Sequence, residues 1–356
     1  MNILYLIGSL GNGGKERLVR DVLEKRNDLP FKAWCVCRKT PADCDGAILL
    51  PSKHLLRFLF RLRKTVQNKK IDIIHSQSSF DTLLARLSTI GLKTKIVQTL
   101  HTYEFAKKTK YKILERLAFS ASTQTIFVSN EQMRHFSEAH RLTPRQVQKQ
   151  TLIYNGVNFE RFATTPAPKT GKERPQVAMV GNFVPAKDQL FVCQFVKELC
   201  SMGQPIDFYF IGERKHQFPH CYDKCVNYCS EHHLADQVHF LGRRDDVPKI
   251  LSQMDAFVYC SKSETFGIAV VEAIATGIPT FVNNLPVFDE ITQSGRLAHL
   301  FSTESTQGLT RQFKDFLAHR QDHLDAAAQN ATIIRSTYSI TTHIANLHSL
   351  YSNVLN

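Results

Sequence analysis

Two glutamates separated by seven residues, Glu264 and Glu272, are the side chains in this sequence best placed to bind a ligand. Glu264 lies in a polar segment, residues 261–265, and Glu272 is the single charge of an apolar run, residues 266–275. A carboxylate buried in an apolar helix costs several kcal/mol unless it is bonded, and a pair of ligand hydroxyls would bond it. A glutamate at a helix start and a second one in a structural ion pair have the same spacing. Spacing alone leaves both interpretations open.

The segments around the glutamates predict a strand, a helix and a second strand. Residues 257–259 have the character of a buried strand end, residues 266–275 that of a buried helix, and residues 278–282 that of the next strand. Gly277 and Pro279 stop the helix. Ligands of open parallel sheets bind at the carboxyl ends of strands, where the polar segment lies. At helical rise the two glutamates would be about 12 Å apart, facing one crevice.

The composition is that of a folded protein with room for two domains. The chain has 356 residues, of which 43% are hydrophobic and 22% are charged. No run of 18 apolar residues occurs, so no transmembrane helix is expected. Residues 1–8 are typical of a first strand rather than of a signal peptide. Nine cysteines scattered through apolar segments favour a reducing compartment over a disulfide framework, so we expect a cytoplasmic protein.

Positive charge is concentrated in the first half of the chain. Residues 1–172 carry a net charge of +17, and residues 173–356 carry a net charge of −4. An anionic partner is therefore expected for the first half. That half contains no RNA- or DNA-binding motif, so an anionic membrane surface or a phosphorylated lipid is a better candidate than nucleic acid.

A basic helix at residues 53–70 is the first candidate for such a contact. Its apolar side is predicted to consist of Leu55, Leu56, Leu59, Leu62 and Val66. These side chains could pack on a sheet while the lysines and arginines stay in water. Alternatively, the helix could meet an anionic membrane, with Phe58 and Phe60 as inserts. A second basic cluster follows at residues 107–116, and both clusters together favour the inner face of a membrane.

Strands and helices alternate through the first half, which is typical of a doubly wound sheet. A glycine-rich turn at residues 8–14 opens the first helix. Its backbone amides could approach a phosphate or a sugar, although a plain tight turn has the same pattern. His101 follows the strand at residues 95–100, where the crevice of such a sheet would lie. A lone histidine in this position is more often structural.

Histidines and cysteines cluster between residues 216 and 233. Cys221, Cys225 and Cys229 are four residues apart, which places them on one stripe of a helix. Structural zinc sites favour closer cysteine pairs with closing ligands, whereas cysteine in a stripe behaves as a small apolar side chain. The segment therefore predicts core packing rather than a metal site.

Residues 263–279, Ser-Glu-Thr-Phe-Gly-Ile-Ala-Val-Val-Glu-Ala-Ile-Ala-Thr-Gly-Ile-Pro, resemble the E-x7-E motif of the retaining glycosyltransferases of family 4. The resemblance is dense over residues 155–295 and thinner before them. It implies an α/β protein of the GT-B fold, with two Rossmann-like domains that face each other across a cleft. Residues 1–165 would form the acceptor-side domain and residues 166–340 the nucleotide-sugar domain. A last helix, residues 341–356, would return to the first domain.

The resemblance also implies roles for individual residues. Glu272 would hold the ribose hydroxyls of the donor. Glu264 and the backbone amides of Phe266 and Gly267 would hold the donor sugar and the distal phosphate. Lys187 would stabilise the negative charge that grows on the leaving diphosphate.

Further positions follow from the same resemblance. Gly13 and Gly14 would lie against the donor and the acceptor, and His101 would lie beside the donor sugar. The loop that contains Gly242 would lie beside the nucleobase. Asn182 stands where the family commonly has an arginine aimed at the diphosphate. This departure weakens the expected positive clamp, although an asparagine can still donate a hydrogen bond.

The implied reaction moves a hexose from a nucleotide diphosphate sugar to a hydroxyl acceptor, with retention of the anomeric configuration. The acceptor would be lipid-linked, in glycolipid or surface polysaccharide assembly, and the donor phosphate would take the acceptor's proton. No acidic pair of the D-x-D type follows a predicted strand, so we expect no metal and no other cofactor. Two alternatives stay open: a sugar-nucleotide epimerase on the same fold, and a non-catalytic GT-B partner subunit.

Overall fold

Strand-forming and helix-forming segments alternate along the chain, and in the computed structural model they build two parallel sheets. The structure describes residues 1–11, 13–39, 47–103, 109–162 and 174–356.

The chain folds into two compact units. The first unit consists of Met1–Val157 and Ile340–Asn356, and the second consists of Asn158–Ser339. The boundary that we predict between residues 165 and 166 lies outside the described residues.

The sheet of the first unit has seven parallel strands. They are β1 Asn2–Ile7, β2 Lys32–Cys37, β3 Ala47–Leu49, β4 Ile73–Ser76, β5 Lys95–Leu100, β6 Gln124–Phe127 and β7 Gln150–Leu152. Their order in the sheet is β3-β2-β1-β4-β5-β6-β7. The direction of winding therefore reverses between β1 and β4. The carboxyl ends of strands at such a reversal form the usual ligand crevice of an open parallel sheet.

The sheet of the second unit has six parallel strands. They are β8 Gln176–Val180, β9 Asp207–Ile211, β10 Val238–Gly242, β11 Ala256–Tyr259, β12 Thr280–Asn283 and β13 His299–Phe301. Their order is β10-β9-β8-β11-β12-β13, so the winding reverses between β8 and β11. All residues of β11 and β12 are buried, as expected for central strands that are covered on both faces.

Fourteen helices lie among the described residues. In the first unit they are α1 Gly14–Glu24, α2 Leu55–Asn68, α3 Ser79–Ser88, α4 Thr109–Ala121, α5 Asn130–His140, α6 Pro144–Val147 and α14 Ile340–Leu355. In the second unit they are α7 Gln189–Ser201, α8 Pro219–Glu231, α9 Val247–Leu251, α10 Ile268–Ala275, α11 Pro286–Ile291, α12 Gln307–Ala318 and α13 Arg320–Thr337. The predicted fold class, two Rossmann-like α/β domains, is confirmed.

The last helix, α14, packs on the sheet of the first unit, as the predicted fold class requires. Ile344, Leu347 and Tyr351 belong to the same buried apolar cluster as Ile3 and Tyr5 of β1. Burial of apolar side chains is worth roughly 25 cal/mol for each Å² removed from water, so this cluster supplies much of the attachment.

A buried hydrogen-bond network fixes the register of α14 on the sheet. The Tyr351 hydroxyl lies 2.6 Å from Nδ1 of His75 and 3.2 Å from the Tyr5 hydroxyl. The other ring nitrogen of His75 lies 2.7 Å from the Thr99 hydroxyl. Burial lowers the pKa of His75 to about 3, so the ring is neutral at physiological pH. Sequence analysis did not identify this network.

The basic helix α2 contacts the sheet through part of the side that we predicted, because Leu62 and Val66 are buried and Leu59 packs against the same cluster. Phe58, Leu62 and Val66 are buried, whereas Leu55 and Leu56 are 48% and 82% exposed. The prediction that Phe58 inserts into a membrane is therefore wrong, because this ring is a core side chain. The helix is apolar at too many positions for its pattern alone to determine which side packs.

The predicted cysteine stripe lies on α8. Cys225 and Cys229 are buried, and both lie against the buried Cys193 of α7. The prediction of core packing is confirmed for these two cysteines. Cys221 is only partly buried.

Replacement of Tyr351 by phenylalanine should lower the free energy of unfolding by about 1–3 kcal/mol, because His75 would keep a buried polar nitrogen without its partner. Urea-induced unfolding measures this loss. Tyr154→Phe is the matched control, because its hydroxyl accepts a hydrogen bond from Asn130 at 3.3 Å in an exposed position. Equal stability of the two variants would contradict a structural role for the network.

Candidate active site

Two loops at the reversal point of the second sheet are joined by main-chain hydrogen bonds. One follows β8 and the other follows β11. The Asp188 amide donates to the Cys260 carbonyl at 3.0 Å, and the Lys262 amide donates to the Ala186 carbonyl at 2.7 Å. This short ladder places Lys187, from the first loop, beside the second loop.

The second loop is also fixed to the neighbouring strand. The side chain of Asn283, at the end of β12, accepts from the Ser261 amide at 3.0 Å and donates to the Ser261 carbonyl at 2.9 Å. The Ser261 hydroxyl donates to the Ala186 carbonyl at 2.6 Å. The two loops and the end of β12 are therefore held in one arrangement by buried polar contacts, which are costly to leave unpaired.

Lys187 and Glu264 form an ion pair where these loops meet. The Lys187 ammonium contacts Oε1 of Glu264, and their side chains are 15% and 14% exposed. The ammonium also lies 5.0 Å from the ring centroid of Tyr259, within the range of a cation–π contact. Burial lowers the pKa of Lys187 to about 8, whereas the facing carboxylate favours the charged form. The structure thus brings together two of the predicted catalytic residues.

A tyrosine that we did not predict completes this cluster. The Tyr259 hydroxyl donates to Oε1 of Glu264 at 2.7 Å. Tyr259 is the last residue of β11 and is 2% exposed. A polar side chain at the end of an apolar strand was the available signal. The sequence presents it as part of an apolar strand, so only the structure shows where the hydroxyl points.

Gly267 ends the loop in a backbone conformation that favours glycine. Its φ is 89°, and a Cβ there would lie 2.5 Å from Cε1 of Phe288. Helix α10 begins only at Ile268, two residues later than we predicted. The helical distance that we predicted between the two glutamates therefore does not apply to residues 264–267. Phe266 is buried, with its ring 5.5 Å from that of Tyr338.

Glu272 lies on α10 between the buried residues Val271 and Ala273, but it is itself only partly buried. The prediction of a fully buried carboxylate is wrong, because Glu272 keeps part of its surface exposed. No burial cost demands a ligand at Glu272. Its role as a ribose ligand stays a prediction.

Asn182 follows β8 and Gly242 ends β10, and β9 lies between these two strands. Oδ1 of Asn182 accepts from the Glu213 amide at 2.9 Å, so one end of its side chain holds the loop after β9. The Gly242 carbonyl accepts from the Gly212 amide at 2.9 Å. Gly242 has a φ of 63°, and its Cβ position has no atom within 4 Å, so open space lies beside it.

The other predicted residues belong to the first unit. Gly13 caps α1 at the carboxyl end of β1, and Gly14 is its first residue. The Glu16 side chain folds back over Gly13, where a Cβ would lie 2.2 Å from its carboxylate. An anionic ligand at this helix start would therefore require Glu16 to move, which the glycine pattern did not reveal.

His101 lies directly after β5, with Nε2 placed 2.8 Å from Oε1 of Gln77. Since an amide oxygen can only accept, Nε2 carries the proton of this hydrogen bond. Burial, followed by the charge of Lys15, holds the pKa of His101 well below its usual value. The ring is therefore neutral at physiological pH. Gln77, which follows β4, is a partner that sequence analysis missed.

Among the residues that the structure describes, no three His, Cys, Asp or Glu side chains gather as metal ligands. A cation could still bind through the phosphates of a substrate. Independence from metal thus stays a prediction.

Two family models match the chain in succession. The model described as "Glycosyltransferase Family 4" matches residues 13–161. The model described as "Glycosyl transferases group 1" matches residues 161–333. The second match contains Lys187, Glu264 and Glu272.

The chain is also similar in sequence to curated enzymes. UDP-Gal:alpha-D-GlcNAc-diphosphoundecaprenol alpha-1,3-galactosyltransferase of Escherichia coli is 28% identical over 251 residues, which cover 65% of this chain and 62% of that enzyme. This match spans less than two thirds of that relative's length. N-acetyl-alpha-D-glucosaminyl L-malate synthase of Bacillus anthracis is 22% identical over 305 residues, which cover 83% of this chain and 78% of the relative.

Solved structures show the same fold at low identity. HepE of Anabaena, in complex with UDP and glucose, has a TM-score of 0.86 at 17% identity, covering 99% of this chain and 100% of that one. Sucrose-phosphate synthase of Thermosynechococcus elongatus has a TM-score of 0.82 at 15% identity, covering 99% of each chain. Since the two family models together take in residues 13–333 and the fold agrees, the chain belongs to the family 4 glycosyltransferases of the GT-B fold.

Proposed function

We propose that the protein transfers a hexose from a nucleotide diphosphate sugar to a hydroxyl acceptor, with retention of configuration, in glycolipid or surface polysaccharide assembly. The observation that carries the proposal is the contact between Lys187 and Glu264 at the reversal point of the second sheet. An ammonium and a carboxylate there suit a ligand that has both phosphates and hydroxyls. The names of two proteins similar to this chain support the substrate class: one includes UDP-Gal and a diphosphoundecaprenol compound, and the other includes UDP and glucose.

Lys187 supplies the charge that the leaving group needs. As the bond between the anomeric carbon and the diphosphate breaks, negative charge grows on the distal phosphate. An ammonium held in a site poor in water stabilises that charge more than it stabilises the intact donor. The amides of Phe266 and Gly267, at the start of α10, add the partial positive charge of a helix N-terminus.

The acceptor oxygen then forms its bond to the anomeric carbon on the face that the diphosphate leaves. Its proton passes to an oxygen of the departing phosphate, so no protein base is required. This assignment agrees with the cluster, because a charged Lys187 cannot accept a proton.

Glu272 and the loop that contains Gly242 would bind the nucleoside part of the donor. The carboxylate of Glu272, which is partly buried, would accept from two vicinal ribose hydroxyls. The nucleobase would take the open space beside Gly242. Nδ2 of Asn182 would donate to the diphosphate, in the place of the arginine that is common in the family.

In the first unit, His101 would bind a sugar hydroxyl as a neutral ring. Gly13 and Gly14 would offer backbone amides to the donor and the acceptor once Glu16 has moved. No metal and no other cofactor would be required, because Lys187 and the start of α10 provide the positive charge that a divalent cation otherwise supplies.

The first unit would also bind an anionic membrane. We name as the basic apolar face the exposed apolar and basic side chains of α2, α3 and α4 and of the turn after α3, where α2 and α4 each contact α3. Its apolar members are Leu56, Phe60, Leu87, Ile90, Ile113 and Leu117, and its basic members are Arg57, Arg61, Lys64, Lys110 and Lys112. Leu56 and Phe60 are 82% and 69% exposed, which is unusual for side chains of this size.

The basic apolar face has a fixed arrangement. Arg63 of α2 donates to the carbonyls of Ser88 and Ile90 at 3.2 and 2.7 Å, which ties α2 to the end of α3. Apolar side chains interspersed with lysines and arginines suit the headgroup region of an anionic bilayer. Within the described residues, no helix is both long and apolar enough to cross a membrane. A peripheral contact at the inner face would bring the protein to a lipid-linked acceptor.

The function is tested first by a thermal-shift screen with UDP, GDP, ADP and their sugars, because a bound ligand raises the apparent stability. The best donor is then incubated with lipid-linked acceptors, with and without EDTA. We expect sugar transfer with retained configuration that EDTA leaves intact. Donor conversion without an acceptor would indicate an epimerase, and nucleotide binding without conversion a non-catalytic subunit. Loss of transfer in EDTA, restored by magnesium, would overturn the metal-free mechanism.

Glu272→Ala should weaken nucleoside diphosphate binding by about 1.5–3 kcal/mol, because the ribose hydroxyls lose a charged acceptor. Isothermal titration calorimetry measures the change. Glu231→Ala, at the exposed end of α8, is the control and should bind normally. An unchanged dissociation constant in a folded Glu272→Ala protein would exclude the ribose role.

Lys187→Met should lower kcat by about 10²–10³, with a smaller loss of nucleotide affinity, because its charge matters most as the diphosphate leaves. In the unmodified protein, kcat/KM should fall as pH rises through about 8, where Lys187 loses its proton. Lys197→Met, an exposed lysine of α7, should keep both kcat and the pH profile. A Lys187→Met protein with intact kcat would contradict this role.

The basic apolar face should bind vesicles of mixed phosphatidylglycerol and phosphatidylcholine in co-sedimentation, and added salt should weaken the binding. Arg57→Gln with Arg61→Gln should cost about 2 kcal/mol, at about 1 kcal/mol for each charge. Phe60→Ser should weaken binding by a similar amount through lost burial. Met202→Ser, which removes an exposed apolar side chain from the second unit, is the control. A protein that ignores anionic vesicles at low salt would point to a soluble acceptor.

A further inference from the structure

The Tyr259 hydroxyl makes a contact that the ring alone does not explain. The ring packs between Phe257, at a centroid distance of 6.0 Å, and Phe288, at 5.8 Å. A phenylalanine would fill the same space. The hydroxyl, however, donates to Oε1 of Glu264 at 2.7 Å, inside a site where an unpaired polar group would be costly.

One oxygen of Glu264 carries both contacts. Oε1 accepts from the Tyr259 hydroxyl and also faces the Lys187 ammonium. Among the described residues, no hydrogen bond to Oε2 is found. Burial raises the pKa of Tyr259, so the phenol keeps its proton and stays a donor. The tyrosine thus fixes one carboxylate oxygen and leaves the other for a ligand.

We propose that Tyr259 is a positioning residue that holds the Glu264 carboxylate against the donor sugar while Lys187 exchanges Glu264 for the diphosphate. This inference rests on the proposed function and deepens it. Without a second anchor, a carboxylate paired only with Lys187 would follow the ammonium or rotate once the diphosphate arrived. With the tyrosine hydroxyl in place, Oε1 stays bonded and Oε2 stays directed at a sugar hydroxyl.

The consequence is a selective effect on the sugar part of the donor. Tyr259 contacts Glu264 through its hydroxyl, and Glu264 is the residue assigned to the sugar. Loss of the hydroxyl should therefore weaken binding of a nucleotide sugar but not binding of the parent nucleoside diphosphate. A residue that only supported the fold would change both affinities together.

The test compares Tyr259→Phe with the unmodified full-length protein by isothermal titration calorimetry. UDP-glucose and UDP are the first pair of ligands, or the best-binding sugar nucleotide of the screen and its diphosphate. We expect the affinity for the nucleotide sugar to fall about tenfold or more, as for loss of a hydrogen bond to a charged group. The affinity for the diphosphate should stay within about twofold, and a normal thermal unfolding midpoint confirms that the variant is folded.

Two further variants separate positioning from packing. Tyr209→Phe removes a hydroxyl that accepts from Gln176, the first residue of β8, at 3.3 Å. This variant should bind both ligands normally. In a Glu264→Ala background, which removes the acceptor, Tyr259→Phe should cause little further loss, because a double-mutant cycle reports whether two residues act through one interaction.

Equal weakening of both ligands, unchanged binding of both, or losses that add in the double variant would each overturn the positioning role. Failure of the unmodified protein to bind any nucleoside diphosphate or its sugar would overturn the proposed function itself. The comparison of variants thus distinguishes failure of this inference from failure of the function on which it rests.

Discussion

The contact between Lys187 and Glu264 is the interaction on which the proposed chemistry of the second unit rests. Two opposite charges with little access to water are stable only if both are held in good geometry, because each loses much of its hydration. The ladder between the loops after β8 and β11 provides that geometry, and Asn283 fixes the second loop from the neighbouring strand. The parallel sheet therefore brings the carboxyl ends of β8, β11 and β12 to one place. Its buried strands contribute stability, whereas its carboxyl edge contributes the charges.

The first unit also contains a buried polar network, but its groups are neutral. Tyr351, at the end of a helix that is remote in sequence, must find His75 and Tyr5 in the buried centre of the sheet. Burial keeps the histidine neutral, so the network carries no charge into the core. His101 is also neutral, and it lies where a ligand would approach the sheet. The positive charge of this unit lies instead on its exposed helices, where it can attract an anionic surface without disturbing the core.

The sequence predicted the alternation of strands and helices, the two-domain fold and the charges of the site, because these follow from apolar periodicity and from one dense motif. It did not determine which side of α2 faces the sheet, since Phe58 and Leu56 are equally apolar and only packing separates them. It placed the start of α10 two residues early, because apolar periodicity does not reveal the left-handed conformation that Gly267 adopts before the helix. Tyr259 was missed because a strand-end tyrosine has the same pattern whether its hydroxyl points to solvent or to a carboxylate. Contacts between side chains far apart in the chain are decided by the tertiary structure.

An ion pair between Lys187 and Glu264 that exists before the donor binds would have a consequence for catalysis. A lone ammonium in a site poor in water would lose its proton as its pKa fell, whereas a facing carboxylate favours the charged form. In the proposed mechanism, exchange of Glu264 for a diphosphate would replace one anion by another, so Lys187 would keep a negative partner as the donor binds. Little energy would then be needed to reorganise solvent, because the positive group would be in place before the reaction begins. The released carboxylate would need its own partner during this exchange, and the hydroxyl of Tyr259 already donates to it.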